Sequence, residues 1–177
     1  MRIALKPPVS QGFTLLETLA SLFIIIVVIT GVASLVFRVF NATAFAASRL
    51  TAAYLAQEGV EVVRNLRDRA YLEQRAGNSL DWDNFIQAGS FALDYRSQQI
   101  PDANCLGNRL RAAANDFYVC TSDASASFQR IITINKVNLD ADAGTIEKIE
   151  VASTVNWNDT SGARTLSVRA DLYDWLR

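Results

Sequence analysis

The chain contains no histidine. That absence removes imidazole acid–base catalysis, a Ser-His-Asp triad and any His-ligated metal. Cysteine is scarce, with two residues in 177 and no CxxC pair, so there is no thiolate cluster for zinc or redox chemistry. No glycine-rich loop of phosphate-cradling form occurs, and no nucleophile–base pairing stands out. An excess of one charge is missing too. Seventeen Lys and Arg stand against 18 Asp and Glu, a net −1, which argues against dedicated nucleic-acid binding. These absences lead to the expectation of a protein that is not an enzyme and carries no cofactor or metal. Half of the residues are hydrophobic, so the chain is no disordered tail, and its length suits one modest domain with an appendage.

The hydrophobicity is concentrated near the N-terminus. Thr18 to Phe37 is 20 residues without a charge, 15 of them apolar, with Ile24-Ile25-Ile26-Val27-Val28-Ile29 at its centre. As a helix this run is about 30 Å long, the thickness of a bilayer's hydrocarbon core. A buried helix of a soluble core is the competing reading, and the unbroken length favours membrane insertion. In front lies a leader with Arg2 and Lys6, whose charge favours the cytoplasmic side. Pro7-Pro8 cannot sit inside a helix, so the helix is expected to begin after them.

Leader and apolar run meet at Gly12-Phe13-Thr14-Leu15-Leu16-Glu17. This junction resembles the processing motif of type IV prepilins and pseudopilins, a short basic leader ending in Gly followed by Phe-Thr-Leu-Leu-Glu and a long apolar stretch. A secretory signal peptide instead places its cleavage site after the apolar region. The resemblance implies cleavage between Gly12 and Phe13 by a prepilin peptidase and N-methylation of the new terminal Phe13. It also implies a role in filament assembly for Glu17, paired with the α-ammonium of a neighbouring subunit's Phe13. Phe13 and Glu17 are i and i+4, one face of a helix. The plainer reading of Glu17 is a first-turn acid that complements the helix dipole. Gly31 and Ser34 would let helices approach closely, although small residues are ordinary in membrane helices. Gly31-Val32-Ala33 also suits ordinary signal peptidase, which would release a soluble domain starting at Ser34.

Helical spacing continues beyond the apolar run. Residues 38 to about 72 lack Pro, and Leu55, Val62, Val63, Leu66 and Ala70 form one stripe. Glu58, Glu61, Arg64, Arg67 and Asp68 read as a solvated face with an Arg64–Asp68 pair. The expected helix runs from Phe13 to about Leu72, roughly 90 Å. Gly59 within it costs about 1 kcal/mol relative to Ala and marks either close packing or a break. The segment Leu55 to Asp68 also resembles a stretch of many small minor pilins. Residues 77–89 read as an irregular connection anchored by Trp82, Phe85 and Ile86. Short strands are expected at Phe91–Arg96 and Phe117–Thr121, and longer ones at Gln129–Asn138, Ile146–Trp157 and Arg164–Trp175. The last three suggest an antiparallel meander with one face on the helix.

Cys105 and Cys120 are expected to form a disulfide in an extracytoplasmic head. Asn138, Asp140, Asp142 and Glu147 suggest a calcium loop only faintly, because Ala143 stands where an EF-hand needs Gly; a polar hairpin is the better reading. The sequons at Asn41 and Asn158 are weak signals.

The expected fold is therefore α+β and pilin-like: a long N-terminal helix, its first half transmembrane, packed on a C-terminal antiparallel sheet. The plan is leader 1–12, membrane and assembly half 13–37, amphipathic half 38–72, and head 73–177. The resemblance implies a minor pilin or pseudopilin of a type IV pilus or type II secretion-like filament. It would be held first in the cytoplasmic membrane with its head outside. Its partners would be prepilin peptidase/methyltransferase, other pilins or pseudopilins, and an assembly platform in the membrane. The alternative is a single-pass anchored or secreted binding domain with no filament role.

Overall fold

The computed structural model describes residues 12–105, 107–114, 117–138, 146–159 and 162–174. The fold is α+β, one long N-terminal helix followed by a six-stranded antiparallel sheet. Helix α1 spans Leu15–Arg75. The strands are β1 (Gly89–Phe91), β2 (Arg109–Ala112), β3 (Tyr118–Thr121), β4 (Phe128–Val137), β5 (Lys148–Asp159) and β6 (Gly162–Tyr173). The sheet order is β3-β2-β4-β5-β6, with β1 also paired to β4.

Both ends of α1 are set by local chemistry. Thr14 is its N-cap, and the Thr14 hydroxyl accepts from the Glu17 N–H at 3.3 Å, the first half of a Thr-x-x-Glu capping box. Phe13 therefore lies one residue ahead of the cap, outside the helix that was expected to include it. At the far end Gly77, at φ 95°, takes the left-handed conformation that stops the helix. The Gly77 N–H donates to the Gln74 carbonyl and the Asn78 N–H to the Glu73 carbonyl, both at 3.1 Å, a Schellman closure.

The chain forms two compact units, one through Ala44 and one from Phe45 onward. In the first, the apolar side chains of α1 are exposed along its whole length; Ile24, Ile25 and Ile26 are all more than half exposed. In the second, the expected stripe of α1 is buried. Val60, Val63 and Leu66 pack with Ile132, Ile134, Ile149, Val151 and Leu172, and Ala52, Leu55 and Ala56 pack with Leu110, Phe128, Val155 and Trp157. Each fully buried aliphatic side chain contributes about 1.5–3 kcal/mol, so this stripe is what holds helix to sheet. Trp82 and Ile86 are buried in the same core as expected, with Phe85 packed against it, and the Trp82 indole N–H donates to the Ile146 carbonyl at 3.1 Å.

The meander β4-β5-β6 is the one the alternation predicts. Its inward residues Ile149, Val151, Val155 and Trp157 on β5 are all buried. Two expectations change. The strand foreseen over Phe91–Arg96 ends at Phe91, because the Asp94 carboxylate accepts from the Arg96 N–H at 2.9 Å and turns the chain. Strand β2 was not foreseen, since Arg109-Leu-Arg-Ala lacks β-branched residues. Among the surface charges Arg64 pairs with Glu61 and Arg67 with Asp68, rather than Arg64 with Asp68. Asp140 and Asp142 of the calcium-like loop, the leader through Gln11 and Trp175 lie outside the described residues.

Candidate functional site

The N-terminal end of α1 combines the junction residues with a bare apolar surface. Gly12 and Phe13 precede the helix and are exposed, Phe13 at 77%. Glu17 sits in the first turn and is exposed; among the described residues its carboxylate makes no ion pair or hydrogen bond. The hydroxyls that interrupt the apolar run are satisfied inside the helix: Ser21 donates to the Glu17 carbonyl at 2.8 Å, Thr30 to that of Ile26 at 2.9 Å and Ser34 to that of Gly31 at 2.7 Å. No backbone or hydroxyl donor in this stretch therefore needs water, which is what a segment in hydrocarbon requires. The helix is long and apolar enough to cross a membrane. It runs unbroken through Gly31-Val32-Ala33.

In the second unit Cys105 and Cys120 are joined in a disulfide, with Cα atoms 5.2 Å apart. The chain-entropy model gives such a loop about 3 kcal/mol. Next to it lies a polar cluster that sequence reasoning missed. Asp94 is 1% exposed and accepts from the Cys120 N–H at 3.1 Å and from the Arg96 guanidinium at 2.7 Å. The Asp94 N–H donates to Ser97 Oγ, whose hydroxyl donates to Asp102 at 2.6 Å. Burial alone would push the Asp94 carboxyl up; the hydrogen bonds from Arg96 and Cys120 outweigh it and hold the group below its ordinary range.

This depression has a pH consequence. As pH falls, the unfolded chain's Asp94 takes up its proton first, so the folded state loses ground. Stability from Asp94 is fully present above about pH 5 and is lost as pH drops below about 3.9 and through the folded value. Asp94→Asn is expected to flatten the fall in unfolding free energy between about pH 5 and pH 2. Urea titrations across that range, for parent and variant, read the effect; parallel curves would dismiss the role given to Asp94.

A second missed group lies where helix meets sheet. Arg130, 1% exposed, donates to the Leu55 carbonyl at 2.7 Å, the Leu93 carbonyl at 2.6 Å and Glu58 at 3.2 Å. Burial pushes its pKa down and Glu58 pushes it back up in part. Glu58, read from sequence as part of a solvated face, is thus the counter-ion of a buried cation. The signal was present: Phe128, Arg130, Ile132 and Ile134 share the inward parity of β4, and a charge at such a position demands a partner.

Among the described residues the outer face of the sheet holds shallow polar grooves. One, of about 550 Å³, is lined by Ser125, Ser127, Gln129, Asn156, Asn158 and Arg109 among others. Among the described residues no three His, Cys, Asp or Glu side chains converge as a metal site. No protein-family model, curated protein or solved structure matches the chain.

Proposed function

We propose that this chain is a structural subunit of the type IV pilin-like class, a minor pilin or pseudopilin processed at Gly12–Phe13. The observation that carries the reading is the Gly12-to-Glu17 junction at the mouth of a helix whose apolar side chains are bare through Phe40. Such a surface has to be covered, first by lipid and then by the helices of other subunits. Cleavage at Gly12 would leave an α-ammonium one residue before the Thr14 cap. That is the positive end of the helix dipole, where a cation is disfavoured, so the new charge seeks a carboxylate. Glu17 of a neighbouring subunit supplies one, and each Glu17 gains in turn the cation that makes its burial tolerable. The protein performs no reaction in this reading. Peptidase and methyltransferase act on it, an assembly platform takes it up, and the disulfide suits an oxidising compartment outside the cytoplasmic membrane.

The test is the mature N-terminus, read by peptide mass spectrometry from cells with and without prepilin peptidase. N-methyl-Phe13 that depends on the enzyme supports the proposal. A terminus at Ser34 overturns it in favour of a secreted head, and an intact Met1 in favour of an anchored binding domain. Glu17→Ala is expected to be cleaved normally and to fall about tenfold or more in sheared filaments, the penalty for an uncompensated terminal charge. Undiminished incorporation would remove Glu17 from assembly.

A further inference from the structure

We propose that the groove of about 550 Å³ on the outer sheet face binds a short acidic oligosaccharide, with Arg109 taking its carboxylate. This does not depend on the filament reading. Four of its side chains stand in one row across four strands. Arg109 pairs with Gln129, Gln129 with Asn156, and Asn156 with Thr165. With strands about 4.8 Å apart, the row is roughly 14 Å long. Their sequence neighbours Leu110, Phe128 and Val155 pack inward on α1, so the row faces away from the helix. The next row, Ile131, Thr154 and Ser167, carries no charge either. A soluble surface usually has both signs of charge on about a quarter or more of its residues, so this uncharged polar stretch stands out.

Chemistry selects the ligand. Amides and hydroxyls both donate and accept, as sugar hydroxyls do, whereas Lys only donates and a carboxylate only accepts. Among the described residues the side chains of Ser127 and Gln129 have no hydrogen-bond partner, so both are free for a ligand. No Asp or Glu is among the described residues that line the groove. The acids nearest to it in sequence are engaged, Asp123 with Arg111 and Asp159 with Arg164. Arg109 makes no ion pair among the described residues, and its guanidinium is held by donating to the Ala126 carbonyl at 3.2 Å. That bond uses one of five N–H donors and leaves enough for a two-point hold on a carboxylate. A neutral row with one anchored cation complements a hydroxylated chain that carries a carboxylate. A polyanion such as nucleic acid would need several cations.

The experiment titrates the full chain in detergent micelles by calorimetry. The probes are the trimers of galacturonate and of mannuronate, their methyl esters, and triglutamate. At least one uronate trimer is expected to bind, and its ester about tenfold more weakly, because the ester keeps the hydroxyls and lacks the charge. Arg109→Gln is expected to lower the acid to the ester's affinity and to leave the ester's unchanged. Gln129→Ala and Asn156→Ala are each expected to weaken acid and ester alike, about three- to tenfold. All three side chains lie outside the core, so circular dichroism should show an unchanged fold. Binding of neither uronate overturns the proposal. So does triglutamate bound as tightly as the sugar acid, which would make the groove a bare anion patch, or an affinity that the row variants leave untouched.

Discussion

Arg130→Ala is expected to destabilise the second unit by about 3–5 kcal/mol, the range for removing one partner of a buried ion pair. The loss has three sources. The Leu55 and Leu93 carbonyls lose their strongest donor, Glu58 loses its counter-ion, and the aliphatic stem leaves a cavity among core side chains. Arg130→Lys should recover little, because one ammonium cannot reproduce a planar fork that serves two carbonyls and a carboxylate. The pair is not intrinsically favourable, since burial works against the charged guanidinium. Replacing both partners, Glu58→Leu with Arg130→Met, should therefore return the protein to within about 2 kcal/mol of the parent. Urea unfolding followed by tryptophan fluorescence measures all four chains. A loss under about 1 kcal/mol for Arg130→Ala would mean that the guanidinium does not clamp helix to sheet.

Gly59→Leu is expected to cost about 3 kcal/mol or more, even though leucine is the better helix former by nearly 1 kcal/mol. A Cβ at position 59 would overlap Ser153 Oγ and lie 3.1 Å from Ile132 Cδ1 and 3.2 Å from Arg130 Cδ. These are side-chain atoms of buried residues on β4 and β5, so a single carbon can be met by their shifting, but the further atoms of a leucine force the helix off the sheet. Gly59→Ala should cost less, about 1–2 kcal/mol, because one carbon can be met by small shifts. Ser153 supplies a control. Its hydroxyl is fully buried and makes no hydrogen bond among the described residues, so Ser153→Ala alone should be neutral or slightly stabilising. Combined with Gly59→Ala it should recover at least half of that variant's loss, a coupling that a double-mutant cycle reads directly. Additive effects would show that Ser153 is not what excludes a side chain at 59.

The two residues act together. Leu55, whose carbonyl Arg130 reaches, lies four residues before Gly59, one turn away on the same helix face. A side chain at 59 would stand over that carbonyl and close the approach of the guanidinium. The glycine thus serves close packing rather than a break, and α1 continues through it unbroken. Arg130 meets its helix partners only when Leu55 and Glu58 lie over it.

Sequence alone determined the elements whose cause is periodic or local. The uncharged run from Thr18 to Phe37, the stripe from Leu55 to Ala70 and the alternation in β4, β5 and β6 each repeat one preference over many residues. Together they fixed helix, sheet and the face between them. The Cys105–Cys120 pair was legible for the same kind of reason, a count that needs no distant partner. Tertiary structure decided whatever depends on residues far apart in the chain meeting in one place. Strand β2 has weak intrinsic preference and forms because β3 and β4 flank it. Asp94 turns its own segment through the Arg96 N–H but is fixed in place by accepting from Cys120, 26 positions away, and Arg130 binds a helix 75 positions upstream. A buried charge is stable only beside its partner, and the partner's place is set by the whole fold, so no local pattern of residues could name it.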